Sequence, residues 1–158
     1  MDVKKLGFST RAVHAGEEPC PTTGAHVTPI YQTSTFVLAG KIPRYFYTRH
    51  GNPTHAVLEE KMKILEGGGS ALATASGMAA LLTVMLTSLE KGDKVLSSEA
   101  IYGGTYNMLK FLLPKFGVEP IFIDMRDPAN VKRTLDQETK VSCLLYTSDA
   151  ADEEDSVD

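Results

Sequence analysis

The chain has 158 residues, of which 42% are hydrophobic and 23% charged, so it is long enough to bury one ordinary core. Its formal net charge of −4 gives no electrostatic reason to expect nucleic acid or an anionic membrane as the main partner. No apolar block follows the two lysines near the start, and the two cysteines, Cys20 and Cys143, are too few for a disulfide framework. We therefore expect one soluble unit in the cytoplasm.

Residues 67–89 carry no charge, which raises the question of a membrane span. The first half of this stretch is mostly Gly, Ala, Ser and Thr, and these residues contribute little transfer energy to a bilayer. The pattern favours a buried strand followed by a buried helix, so we expect no membrane partner.

Residues 1–52 contain Pro and Gly so often that the sequence predicts an extended, irregular arm. The recurring residues are Pro21, Gly24, Pro29, Gly40, Pro43 and Gly51. An arm of this length is expected to lie on the body of its own subunit or on a neighbouring subunit.

The first predicted helix starts at Asn52 and Pro53, because Asn caps free amides and Pro suits the first helical position. An apolar face follows, and Glu59 is expected to pair with Lys63 on the exposed side. The three glycines at 67–69 predict a left-handed end to this helix.

After residue 70 the predicted elements alternate. Strands are expected at 71–75, 94–97, 120–124 and 141–146, and helices at 77–88, 105–113 and 128–135. Because parallel strands need crossover connections, this alternation predicts a doubly wound α/β fold with a parallel sheet.

The end of the chain departs from this pattern, since residues 149–158 include six acids and no base. One interpretation is a solvated acidic tail. The other, which we favour, is that residues 143–158 resemble translated sequencing-adapter sequence and are not native. The predicted organisation is an arm at 1–52, part of an α/β domain at 53–142, and a non-native tail at 143–158.

Three motifs are candidates for chemistry. In residues 74–80 (TASGMAA) a strand meets a helix at Gly77, where the backbone amides of Gly77 and Met78 could bind a phosphate. In residues 47–54 (YTRHGNPT), Tyr47 and Arg49 would point to the same side of extended backbone and converge on an anion. Taken singly, a connecting turn and an Arg packed on its Tyr are simpler interpretations.

The third motif is residues 100–106 (AIYGGTY), at the predicted end of a strand, where ligand crevices open in α/β sheets. Tyr102 could lie against a planar cofactor while the two following glycines leave room for it. A turn with a core tyrosine is the alternative. The four histidines show no metal-ligand spacing, so we expect no metal site.

Together with residues 9–16 (STRAVHAG) and 29–36 (PIYQTSTF), these motifs resemble the cystathionine γ-synthase, cystathionine γ-lyase and methionine γ-lyase family. The resemblance runs from about residue 7 to residue 141. It implies a fold-type I pyridoxal-phosphate-dependent transferase, similar to aspartate aminotransferase, of which this chain holds the N-terminal arm and part of the large parallel-sheet domain.

The resemblance also implies residue roles. Gly77 and Met78 would bind the phosphate of pyridoxal 5'-phosphate, and Tyr102 would stack on its ring and serve as a catalytic acid or base. Tyr47 and Arg49 would reach the cofactor of a neighbouring subunit in a homodimer or homotetramer. Methionine γ-lyases usually carry a cysteine at the position of Gly104, which favours the other activities of the family.

The implied function is γ-elimination or γ-replacement on sulfur-containing or homoserine-derived amino acids, as in trans-sulfuration or O-acylhomoserine sulfhydrylation. The family's cofactor-binding lysine and its pyridinium aspartate would lie beyond this chain, so the chain alone is expected to be inactive. The alternatives are a non-catalytic truncated chain that only binds phosphate or dimerises, and a nucleotide-binding α/β domain.

Overall fold

The computed structural model describes residues 5–37, 45–135 and 139–143. The chain divides into two compact units, residues 1–73 and 74–158. The predicted division into an arm at 1–52 and a domain that begins at 53 remains a prediction. The helix Pro53–Glu66 falls in the same compact unit as the residues before it.

The described part of the first unit contains two helices, α1 at Phe8–His14 and α2 at Pro53–Glu66. The expectation of a wholly irregular arm is therefore wrong over α1. Its seven residues contain neither Gly nor Pro, so nothing there prevents a helix from propagating. The helical backbone is interrupted only after α1, first at Gly16, which has a φ of 73°.

α1 and α2 contact each other through a close backbone approach. A Cβ built on Gly16 would lie 2.9 Å from the Val57 carbonyl oxygen and 3.0 Å from the Lys61 amide nitrogen. Glu17 then accepts hydrogen bonds from the Thr28 amide at 3.1 Å and from Lys61 Nζ at 3.2 Å. These bonds, led by that of the Thr28 amide, lower the pKa of Glu17.

Both ends of α2 agree with the sequence. The Asn52 side chain accepts from the Thr54 amide at 2.8 Å, and Gly67 ends the helix in the left-handed conformation with a φ of 66°. The predicted Glu59–Lys63 pair is wrong, because Lys63 pairs with Glu60 one residue further along. Glu59 instead accepts a hydrogen bond from the backbone amide of residue 73 at 3.0 Å.

The second unit contains a three-stranded parallel sheet in the order β2-β1-β3. Its strands are β1 at Lys94–Ser98, β2 at Glu119–Ile123 and β3 at Thr139–Cys143. The strand expected at 141–146 thus starts two residues earlier, and residues 144–146 lie outside the described residues. Because β1 has a neighbour on each side, it is the best buried of the three.

The helices of this unit are α3 at Gly77–Ser88, α4 at Gly103–Asn107 and α5 at Pro128–Thr134. α4 continues through a π-helical turn at Met108–Leu112 into a 3₁₀ turn at Leu113–Phe116. This change of pitch has a local cause: Pro114 has no N–H to donate, and its ring would clash with a carbonyl one turn earlier.

The strand expected at 71–75 is absent from the described residues, where this segment has no ladder partner. Leu72 is 70% exposed, which does not fit a buried strand. A run of small apolar residues predicts extended backbone, but a strand also needs a hydrogen-bonding neighbour, and none of the three described strands pairs with this segment.

The core of the second unit lies between the sheet and its helices. It is formed by Met85, Val95, Ile101, Met108, Leu109, Leu113, Val118 and Cys143, all buried. Through this core the helical segments cover the sheet: α3 contacts β3, and the 3₁₀ turn at Leu113–Phe116 contacts β2. Among the described residues, no helix is long and apolar enough to cross a membrane.

Candidate cofactor phosphate and ring site

Tyr47 and Arg49 lie together in the first unit. Tyr47 forms an isolated antiparallel bridge with Thr35, which holds residues 47–49 beside residues 33–35. The Arg49 guanidinium carbon lies 5.0 Å from the centre of the Tyr47 ring. Within the described part of the chain, Arg49 has no carboxylate partner, so its charge is available to an anion.

A cavity of about 520 Å³ opens at this pair. It is bounded on one side by residues 31–34 and on the other by residues 47–49. The first wall supplies the hydroxyl group of Ser34, since the Thr33 hydroxyl already donates to the Thr35 carbonyl at 2.8 Å, and the second supplies the phenol of Tyr47 and the guanidinium of Arg49. A cation surrounded by hydroxyl donors is the chemistry that binds phosphate or carboxylate.

In the second unit, the start of α3 presents free backbone donors. The Ser76 side chain accepts from the Ala79 amide at 3.1 Å, and the Ala80 amide donates to the Ser76 carbonyl at 3.0 Å. The amides of Gly77 and Met78 have no acceptor among the described residues, as expected for the first turn of a helix.

The surroundings of these amides suit an anion. The first turn of α3 has no acidic residue, and a Cβ built on Gly77 would have nothing within 4 Å. An anion could therefore approach the backbone closely, with the positive end of the helix dipole behind it. The phosphate end of pyridoxal phosphate fits this helix start.

Tyr102 is the residue that precedes the first turn of α4, and its side chain is 44% exposed. Gly104 lies against both this ring and α3: a Cβ there would be 2.5 Å from Tyr102 Cε1 and 3.2 Å from Met78 Sδ. Met78 and Tyr102 thus meet at Gly104. The second unit brings the candidate phosphate donors and the candidate stacking ring together.

Two residues, one beside the candidate groups of each unit, were not identified as contributors from the sequence. Asn52 was expected only as a helix cap, and Ser76 was not singled out, although it caps α3 beside the candidate phosphate amides. The signal for Ser76 was present, because Ser one residue before a helical glycine is a typical N-cap. No cluster of metal-binding side chains occurs in residues 5–37, 45–135 and 139–143.

Comparison with known proteins gives one family. The family model described as Cys/Met metabolism PLP-dependent enzyme matches residues 9–148. The O-acetyl-L-homoserine sulfhydrylase of Leptospira meyeri is 40% identical over 83% of this chain and 32% of its own length. The L-methionine gamma-lyase of Treponema denticola is 39% identical over 90% of this chain and 38% of its own length.

A solved structure agrees with these sequence matches. The crystal structure of metB from Corynebacterium glutamicum superposes with a TM-score of 0.83 and 36% identity, covering 90% of this chain and 38% of that chain. The chain therefore spans well under half the length of these relatives. The predicted fold class and family are both confirmed.

Proposed function

Because this chain belongs to the Cys/Met metabolism PLP-dependent enzyme family, we propose that it forms the N-terminal part of an enzyme of sulfur amino-acid metabolism. The reaction is γ-elimination or γ-replacement on a sulfur-containing or homoserine-derived amino acid. The printed names of the relatives, a homoserine sulfhydrylase and a methionine gamma-lyase, support this substrate class.

The observation that carries the proposal is the start of α3 beside Tyr102. Free amides at Gly77 and Met78 hold the cofactor phosphate, while the exposed ring of Tyr102 covers the flat face of the cofactor. When bound, pyridoxal phosphate supplies an electron sink for charge that develops on the amino-acid substrate. Tyr102 Oη is the group of this chain proposed to move a proton to or from the leaving group.

Tyr47 and Arg49 contribute to the cofactor site of a neighbouring subunit in a homodimer or homotetramer. Their support is the cavity of about 520 Å³ and the lack of a carboxylate partner for Arg49 in the described residues. A guanidinium and a phenol complement the amide donors of Gly77 and Met78 on a doubly charged phosphate. The proposed location of the assembled enzyme is the cytoplasm.

Gly104 bears on the substrate. Methionine γ-lyases usually carry a cysteine at this position, whereas this chain has a glycine. This favours a cystathionine γ-synthase, a cystathionine γ-lyase or an O-acylhomoserine sulfhydrylase over a methionine γ-lyase. The lysine that holds the cofactor is not assigned in this chain, so the chain alone is proposed to be inactive.

The test is a titration of the isotope-labelled 158-residue chain with pyridoxamine 5'-phosphate, followed by amide NMR. This ligand lacks the aldehyde, so it cannot react with surface lysines. We expect the Gly77 and Met78 amide signals to shift, and pyridoxamine without phosphate to leave them in place. ATP shifts of equal size at lower concentration would favour the nucleotide-binding alternative, and unmoved amides would contradict the phosphate site.

A pair of variants sharpens the test. Gly77→Pro deletes one N–H at the first helical position, where Pro is tolerated, and Ser76 before it is already extended with a φ of −165° and a ψ of 161°. Gly77→Ala keeps the N–H and adds a methyl group to open space. We expect Gly77→Pro to weaken binding about tenfold, as for one charge-assisted hydrogen bond, and Gly77→Ala to change it less than about twofold.

A further inference from the structure

We infer that Asn52 is a positioning residue for Arg49. Its buried side-chain amide holds together the two walls of the cavity that opens at Tyr47 and Arg49. The inference rests on the anion-binding role proposed above for Arg49. Asn52 is 2% exposed, and its side chain takes part in three hydrogen bonds. An uncharged side chain with this degree of burial and bonding has one rotamer available.

The two ends of the amide have different tasks. Its oxygen accepts from the Thr54 amide at 2.8 Å and so caps α2. Its nitrogen donates to the Tyr31 carbonyl at 3.0 Å and to Thr48 Oγ1 at 3.1 Å. The first of these acceptors belongs to one wall of the cavity and the second to the other wall.

The connection continues through Thr48. Its hydroxyl donates to the Thr33 carbonyl, and its backbone amide donates to the Ser34 carbonyl at 2.9 Å. Arg49 follows Thr48 directly, so the backbone from which the guanidinium extends is held by this network. Since Arg49 has no carboxylate partner in the part of the chain described, backbone placement decides where its charge lies.

The choice of residue follows from this double task. Ser, Thr and Asp cap helices about as well as Asn, but none of them has two N–H donors to direct at two acceptors. A helix cap alone therefore does not require Asn at this position. Asn is required because one side chain must both cap α2 and join the two walls of the cavity.

The experiment measures the Arg49 Nε–Hε NMR signal of the 158-residue chain during titration with pyridoxamine 5'-phosphate. Asn52→Ser keeps a capping oxygen and removes both N–H donors, and its single hydroxyl proton cannot serve two acceptors. We expect it to weaken the response of the Arg49 signal about tenfold, because small displacements of a binding group are costly. Asp127→Ala is the control. It removes the side chain that caps α5 in the other unit by accepting from the Ala129 amide, and it should leave the Arg49 response unchanged.

A second pair of variants avoids the cap altogether. Thr48→Val removes the hydroxyl that links Asn52 to the Thr33 carbonyl and keeps the shape of the side chain, whereas Thr48→Ser keeps the hydroxyl. Thr48→Val should reproduce the effect of Asn52→Ser, and Thr48→Ser should restore most of the response. A response that depends on neither substitution overturns the inference.

The double variant separates positioning from general stability. In a chain that carries Arg49→Met, adding Asn52→Ser should cause no further loss of pyridoxamine 5'-phosphate binding, because Asn52 acts through Arg49. If Asn52→Ser weakens this binding as much in the Arg49→Met chain as in the unaltered chain, its effect is a general one on folding, and the inference alone is overturned. If Arg49→Met binds as well as the unaltered chain, the proposed role of Arg49 fails, and the inference fails with it.

Discussion

At the scale of single residues, two adjacent glycines in α4 have different surroundings. A Cβ on Gly103 would have nothing within 4 Å, whereas one on Gly104 would meet the Tyr102 ring at 2.5 Å. Gly103 therefore leaves room for a side chain, whereas Gly104 is in close contact with the Tyr102 ring. The arrangement of Tyr102 depends on the second glycine.

This contrast gives the first prediction. Gly104→Ala should move the Tyr102 ring, seen as a shift of its aromatic NMR signals, while Gly103→Ala should leave them in place. Because Tyr102 is 44% exposed, its ring can swing away, so we expect the stability of the chain to change by less than about 1 kcal/mol. An unmoved ring in Gly104→Ala would contradict the described contact.

A second residue-scale prediction concerns Asp124, whose pKa is lowered to about 2 by hydrogen bonds from the side chain and backbone of Arg126. Because this pKa is depressed, the stabilisation it reflects is complete above the ordinary value of 3.8 and is lost as the pH falls through about 2.

Arg126→Met should therefore raise the pKa of Asp124 toward, but not fully to, 3.8, because the backbone N–H at position 126 remains. Carboxyl-carbon NMR during an acid titration measures this directly. Lys132→Met removes one positive charge from α5 without removing a hydrogen bond to Asp124, and serves as the control, with no change expected. The same pKa shift in both variants would mean that net charge, not the hydrogen bonds, sets the value.

At the scale of elements, the sequence predicted the helices whose first residues carry a recognisable capping signal. α2 and α5 begin where Asn52 and Asp127 cap them with Pro in the next position, and α3 covers the predicted residues. Each strand of the parallel sheet starts within two residues of its predicted start. Each of these signals is local, so no knowledge of tertiary contacts was needed.

The arm was wrongly predicted to be irregular over α1, and two further errors arose where a local pattern needed a partner. The strand expected at 71–75 has no neighbour in the described sheet, and the Glu59–Lys63 pair lost to competing contacts with Ala73 and Glu60. The site shows the same division. Motifs predicted the candidate residues, but the joining of the cavity walls by Asn52 depends on contacts between distant segments.

The π-helical turn after α4 offers an element-scale prediction. Leu109 is fully buried in the core of the second unit, whereas Phe111, two residues on, is 59% exposed. Leu109→Ala should lower the free energy of unfolding by about 2–4 kcal/mol because it leaves a cavity. Phe111→Ala should cost less than about 1 kcal/mol. Urea unfolding followed by circular dichroism compares the two, and equal losses would contradict the assigned packing.

At the scale of the whole molecule, the family assignment and the length of the chain must be considered together. The chain covers 32% and 38% of two curated relatives, and its family match ends at residue 148. The expectation that residues 143–158 are not native stays a prediction, and residues 144–158 lie outside the described part of the chain. We propose that the cofactor-binding lysine belongs to a part of the enzyme that this chain does not include.

The most direct test of this account is to sequence the source DNA from the codon of Thr139 onward. We predict that the reading frame continues past Val141 into further α/β sequence with an aspartate and a lysine in the family's context, and that its full product binds pyridoxal phosphate. A verified stop directly after Asp158 would contradict the claim that this chain is part of a catalyst.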